Sequence, residues 1–141
     1  MHPFDLQHTL LAKHAQHVVL VHFPIALVVV ALLLDLIALR QQSQGWATAA
    51  YYNLSIAAAA AIPTLITGLL AWRWQLEGAP LRGMLRLHLL FGATSCVMIC
   101  LSWWIAKRGA PRAARLTMEV LTVLVIAVTA HLGGFVSGVN V

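Results

Sequence analysis

Four long apolar runs, separated by short polar breaks, dominate this chain. They cover about 18–39, 46–74, 87–106 and 116–135, and each is near or above the roughly 20 residues that cross a hydrocarbon core as an α-helix. The breaks carry turn chemistry: Gln-Gln-Ser-Gln-Gly at 41–45, Glu-Gly-Ala-Pro at 77–80 and Lys-Arg-Gly-Ala-Pro-Arg at 107–112. Connections this short make consecutive helices antiparallel neighbours. The predicted fold class is therefore all-α, an integral-membrane up-down four-helix bundle over residues 17–141. Residues 1–16 read differently. Leu6, Leu10 and Leu11 share a helical face among Asp5, Gln7, His8, Lys13 and His14, which predicts a short N-terminal interfacial helix. The first run exceeds a signal-peptide core and no small-x-small cleavage site follows it, so it is expected to be retained. No internal repeat is visible, and Ala57 to Ala61 reads as a close-packing surface.

Composition supports the lipid solvent. The 141 residues are 61% hydrophobic and 9% charged, with mean hydropathy +0.86, whereas soluble domains are about 25% charged. The net charge of +5 does not point to nucleic acid, because the basic residues sit at segment ends, where they suit phospholipid headgroups. Arg40, Lys107, Arg108, Arg112 and Arg115 fall on one side; Lys13, Arg73, Arg82 and Arg86 fall on the other. The richer side is expected to be cytoplasmic, leaving both termini outside. Trp46, Tyr51, Tyr52, Trp103 and Trp104 would belt one interface and Trp72 and Trp74 the other. Cys96 and Cys100 form no disulfide framework. There is no nucleotide loop, nucleophile–base set or paired-carboxylate site in the sequence pattern, so nothing argues for hydrolysis or group transfer.

Histidine is the residue type with chemistry to offer. His22, His88 and His131 each interrupt an apolar run, and the up-down topology brings them to one level within roughly a helical turn, about 5 Å. Ionisable groups inside a membrane are functional candidates by default. The first and third helices lie diagonally in a square bundle, which leaves room between their imidazoles for a flat macrocycle. His22 and His88 are thus the expected axial ligands of haem b, with His131 a substitute ligand, a propionate partner or part of a quinone pocket. Gly68 and Gly92 would open space for the cofactor, with Gly133 and Gly134 beside His131, and Arg82 or Arg86 would pair with its carboxylates. The alternatives are plainer. Small residues commonly serve helix packing, and an interfacial histidine often snorkels. Asp35 reads as an ion pair with Arg40, Glu119 as a helix-surface pair with Arg115, and His14 with His17 as a solvated face. Cys96 and Cys100, four apart, read as apolar packing or a soft-metal pair, and Pro24 and Pro63 as kinks.

The segment His17-Val-Val-Leu-Val-His22-Phe-Pro24-Ile-Ala-Leu27, followed by Asp35-Leu36, resembles the opening signature of a bacterial family of small predicted membrane proteins classed as a domain of unknown function. Thr67-Gly68-Leu-Leu, His88 with Gly92, His131-Leu-Gly-Gly134 and Gly138-Val-Asn-Val141 extend the resemblance over nearly the whole chain. Val18 stands where the family usually has proline, and Ala71-Trp72 where an acidic residue often follows. The resemblance implies four membrane helices and adds His17 as a fourth motif histidine. It also implies kinship with domains joined to c-type cytochrome or sugar-dehydrogenase-like modules.

The leading expectation is a b-type cytochrome-like electron carrier of a bacterial inner membrane. It would work between an outer-side donor, such as a periplasmic c-type cytochrome or dehydrogenase, and quinone. The second expectation is a zinc or copper site on His17, His22, His88 and His131, serving metal binding or proton-coupled transport, with homo-oligomers needed for so short a chain. The third is a non-catalytic membrane anchor or assembly subunit.

Overall fold

The first and third helices stop at residues that turn left-handed. In the computed structural model, which describes residues 15–137, α1 spans Ala15–Gln41, α2 Gln44–Trp74, α3 Gly83–Lys107 and α4 Arg112–Val136. At 1.5 Å per residue they are about 37 to 47 Å long. All four are long and apolar enough to cross a membrane, with end turns to spare beyond a hydrocarbon core of about 30 Å. Each extends beyond its apolar run because flanking polar residues continue the backbone ladder into the headgroup region. Residues 1–14, where an interfacial helix was expected, lie outside the described residues, as does the closing Gly138–Val141 segment.

The stops are local chemistry. After α1, Gln42 adopts φ 51°, the Ser43 amide donates to the Ala38 carbonyl at 3.2 Å, and the Gln42 amide nitrogen donates to Leu39 at 2.7 Å. Gly109, at φ 66°, ends α3 in the same way: the Gly109 amide donates to Ala106 at 3.1 Å and Ala110 to Ile105 at 3.2 Å. Both arrangements satisfy orphan carbonyls at the helix end. The longer α2–α3 connection is pinned by Trp72, whose indole N–H donates to the Ala79 carbonyl at 3.0 Å.

The four helices form the expected square. Helix α1 packs most extensively on α2, and α3 packs next most extensively on α4. Contacts of α2 with α3 and of α1 with α4 close the ring, so α1 and α3 are diagonal. The seam is built from small side chains: Ala31, Ala50 and Ala57 are completely buried beside Val28 and Leu54. Lipid is as apolar as leucine, so close van der Waals packing rather than hydrophobic exclusion drives this association. Ile99 of α3 and Ile126 of α4 complete the central cluster. Phe23, Ile62, Leu90, Val97 and Leu124 are more than half exposed and form the lipid-facing exterior.

Proline has a specific consequence. Pro24, inside α1, removes the amide that would have bonded to the Leu20 carbonyl. Thr64 Oγ1 of α2 lies 3.4 Å from that carbonyl while also bonding Ala60 of its own helix at 2.8 Å. The expected local partner for a proline-freed carbonyl is thus supplied by the neighbouring helix.

The tight α1–α2 seam yields a prediction. Ala57→Leu adds three carbon atoms where no space exists and is expected to destabilise the bundle by about 1–3 kcal/mol. Thermal unfolding of the purified protein in detergent, compared with Ile62→Leu on the exposed face as a neutral control, measures it.

Candidate functional site

Helices α1 and α3 begin at one end of the bundle, termed here the upper end, and each places a histidine in its opening turns facing the next helix in sequence. His17 of α1 is half-buried against α2, with Nδ1 3.4 Å from Thr67 Oγ1. That hydroxyl donates to the Pro63 carbonyl at 2.8 Å, so towards His17 it accepts. His88 of α3 is half-buried against α4, with Nδ1 3.2 Å from the Thr129 carbonyl, which can only accept. The His88 ring therefore carries its proton on Nδ1 when neutral, which leaves its Nε2 with a lone pair.

Two glycines make room for these rings. A Cβ at Gly68 would stand 2.9 Å from His17 Cε1, and a Cβ at Gly133 would stand 3.0 Å from His88 Cε1. The two hairpins thus share one construction, although no repeat is legible in the sequence: a histidine on the first helix, then a glycine and a threonine on the second. The two imidazoles lie within coulombic reach of each other on the diagonal helices. The Thr64 carbonyl adds to the polar surroundings of His17.

The other expected site residues take different positions. His22 is exposed, and its Nδ1 donates back along α1 to the Val18 carbonyl at 2.6 Å. His131 is also exposed and stands edge-on to Phe135, with ring centroids 5.0 Å apart. Among the described residues no three histidine, cysteine, aspartate or glutamate side chains are grouped to hold a metal ion, so His22, His88 and His131 do not gather into such a set. Gly92 adjoins α4 at ordinary van der Waals distance, its would-be Cβ 3.8 Å from Thr129 Cγ2. Arg82, which caps α3, and Arg86 are exposed at the upper end. Cys96 and Cys100 are free thiols that pack against the central cluster. They line a lipid-facing groove of about 620 Å³ between α2 and α3, with Ala61, Ile66 and Trp104 also in its wall.

Three sequence readings are corrected. His17 is half-buried rather than part of a solvated face, because its side of α1 meets α2. Asp35 does not pair with Arg40. It is fully buried and its Oδ2 accepts from Arg115 Nη2 of α4 at 2.5 Å. Glu119 is not on the helix surface but 1% exposed. Thr67 was read only as part of the Thr67-Gly68 motif and Thr129 not at all; neither was expected to meet a histidine. Their signal was local: Thr67 directly precedes Gly68, and Thr129 stands one turn before Gly133.

Residues 13–139 match the family model described as a predicted membrane protein, DUF2231. No curated protein matches the chain, and no solved structure does.

The glycine notches give a test of this geometry. Gly68→Ala should displace the His17 ring and shift its imidazole 15N resonances while leaving those of His88 in place, and Gly133→Ala should do the converse. Imidazole NMR on histidine-labelled protein in micelles reads both, and equal perturbation of the two rings by one substitution would contradict it.

Proposed function

Since the chain belongs to the DUF2231 family of predicted membrane proteins, a designation that carries no activity, we propose from its geometry that it is a b-type cytochrome-like electron carrier with haem b held between α1 and α3. The observation that carries this reading is the pair His17 and His88: two half-buried imidazoles near one end of diagonal helices, each with Nδ1 within reach of a group on the neighbouring helix. A metal-ligating histidine commonly donates its other ring N–H to a backbone carbonyl or similar acceptor, which fixes the tautomer and orients the ring. Thr67 and the Thr129 carbonyl fill that role here.

In this reading His17 replaces His22 as the ligand from α1, because His22 is exposed and folded back on its own helix. Haem supplies the reversible one-electron chemistry. The chain supplies orientation and exclusion of water, and His131, near the end of α4, remains a polar neighbour for the cofactor edge. Arg82 and Arg86, exposed where α3 begins, would pair with propionate carboxylates. Quinone in the bilayer and a donor at the upper face are the redox partners that such a site implies.

A second reading has its own support, the glycine notches. Rings seated against Gly68 and Gly133 fill interhelical space, as they would in a non-catalytic membrane anchor. In that case each histidine contributes an interhelical hydrogen bond of about 0.6–2 kcal/mol and nothing else.

The visible spectrum of full-length protein expressed with ample haem separates the two. Electron transfer requires a reduced alpha band after dithionite that is lost in His17→Ala and His88→Ala and retained in His22→Ala. Thr67→Val should weaken haem affinity about 10–100-fold with the band position nearly unchanged. A wild-type protein without the band, or one whose band survives both alanine variants, excludes the haem reading.

A further inference from the structure

At the opposite, lower end the bundle buries a second set of ionisable side chains, which the histidine reading does not use. Asp35 of α1 is 0% exposed and Glu119 of α4 is 1% exposed, while Arg115, one turn before Glu119, reaches from α4 to Asp35 Oδ2. Asp35 lies six residues before the end of α1 and Glu119 seven after the start of α4. Both are therefore about 10 Å inside the helix ends. Asp35 and Arg115 are the charged neighbours of Glu119. Three carboxylate oxygens, Asp35 Oδ1 and Glu119 Oε1 and Oε2, have no hydrogen-bond partner among the described residues.

Asp35 and Arg115 are the charges that act on Glu119; Arg112 begins α4 two turns away, and Arg108 lies over the Trp104 ring. Helix α2 has no Asp, Glu, Lys, Arg or His between Gln44 and Arg73, only Tyr51 and Tyr52 among groups that titrate. Helix α3 has none between His88 and Lys107 apart from the thiols of Cys96 and Cys100. Lys107 itself lies over the Trp103 ring at 4.9 Å, and Arg40 is exposed at the end of α1. One guanidinium therefore faces two buried carboxyl groups. If both were ionised, the site would hold an uncompensated negative charge away from water, a state costing several kcal/mol.

We propose that Asp35, Arg115 and Glu119 form a buried proton-binding site in which Glu119 carries one proton and shares it with Asp35 Oδ1. Arg115 neutralises Asp35, and the Glu119 O–H donates to the remaining Asp35 oxygen. One proton thus removes the excess charge and gives partners to two of the three orphaned oxygens. Loading is a simple transfer: a Glu119 carboxylate oxygen takes a proton from hydronium, leaving water, and no electron moves. Arg115 is the member of the trio with appreciable exposure, 16% of its side chain, so exchange with the medium runs past its guanidinium from the lower face. The site stands independently of whatever the histidines bind, and its ligand is the proton itself.

Infrared spectroscopy of the full chain in lipid vesicles at neutral pH tests it. The sequence has only four acidic residues, Asp5, Asp35, Glu77 and Glu119, and Glu77 is exposed, so a protonated carboxyl is readily assigned. The expected result is one carboxylic acid C=O band that shifts in D2O and disappears in Glu119→Gln. It should also disappear in Asp35→Asn, because Arg115 is then free to neutralise an ionised Glu119. Labelling wild-type protein with 13C-carboxyl glutamate should move the band, a readout that needs no variant to fold. Absence of the band in wild type, its insensitivity to the label, or its survival in Glu119→Gln would each overturn the proposal.

Discussion

A hydrocarbon solvent offers no hydrogen-bond partners, so every polar group within the spans of this protein must find one inside the bundle. That constraint organises the tertiary structure. Ser95 meets Thr129 at 2.8 Å and Ser102 meets Thr122 at 2.9 Å, stitching α3 to α4. Thr64 covers the carbonyl that Pro24 exposes. Asp35 reaches across to Arg115. Small side chains let the backbones approach, and these few polar contacts set the rotation and height at which the helices stop.

The ionisable groups are segregated along the membrane normal. Imidazoles occupy the upper end, those of His17 and His88 each in a glycine notch with a threonine hydroxyl or carbonyl beside it. Carboxyls and one guanidinium occupy the lower end, buried more completely than the imidazoles. Between them lies a layer of alanine, valine, leucine and isoleucine. The two sites are therefore separate in chemistry and in access. The upper one offers imidazole nitrogen, the lower one two carboxyl groups and a single guanidinium. Neither resembles the nucleophile–base or phosphate-binding arrangements absent from the sequence pattern.

The repetition of the histidine–glycine–threonine arrangement in both hairpins has a packing reason. A ring in the opening turns of one helix needs its partner near the far end of an antiparallel neighbour, because the chain reverses direction between them. Hence His17 finds Thr67 and Gly68 near the end of α2, and His88 finds Thr129 and Gly133 near the end of α4. Gly92, expected to open space beside His88, instead packs at ordinary contact distance, while Gly133 on the facing helix provides the space.

Hydrophobic run length and turn chemistry determined the number of helices, their order and their ends to within a few residues, because these depend only on local backbone satisfaction and on the thickness of a bilayer. The antiparallel square followed from the short connections, and with it the diagonal relation of α1 and α3. Which face of each helix turns inward was not written in the pattern. Helices that are apolar nearly all round carry no stripe to mark a core side, so the pattern favoured His22 as inward and His17 as solvated, whereas the structure half-buries His17 and exposes His22. Asp35 likewise had a basic residue near in sequence, Arg40, and another 80 positions away, Arg115; only helix rotation and register chose the second. The tertiary structure made these choices because burying a charge without its partner costs more than any local preference can offset.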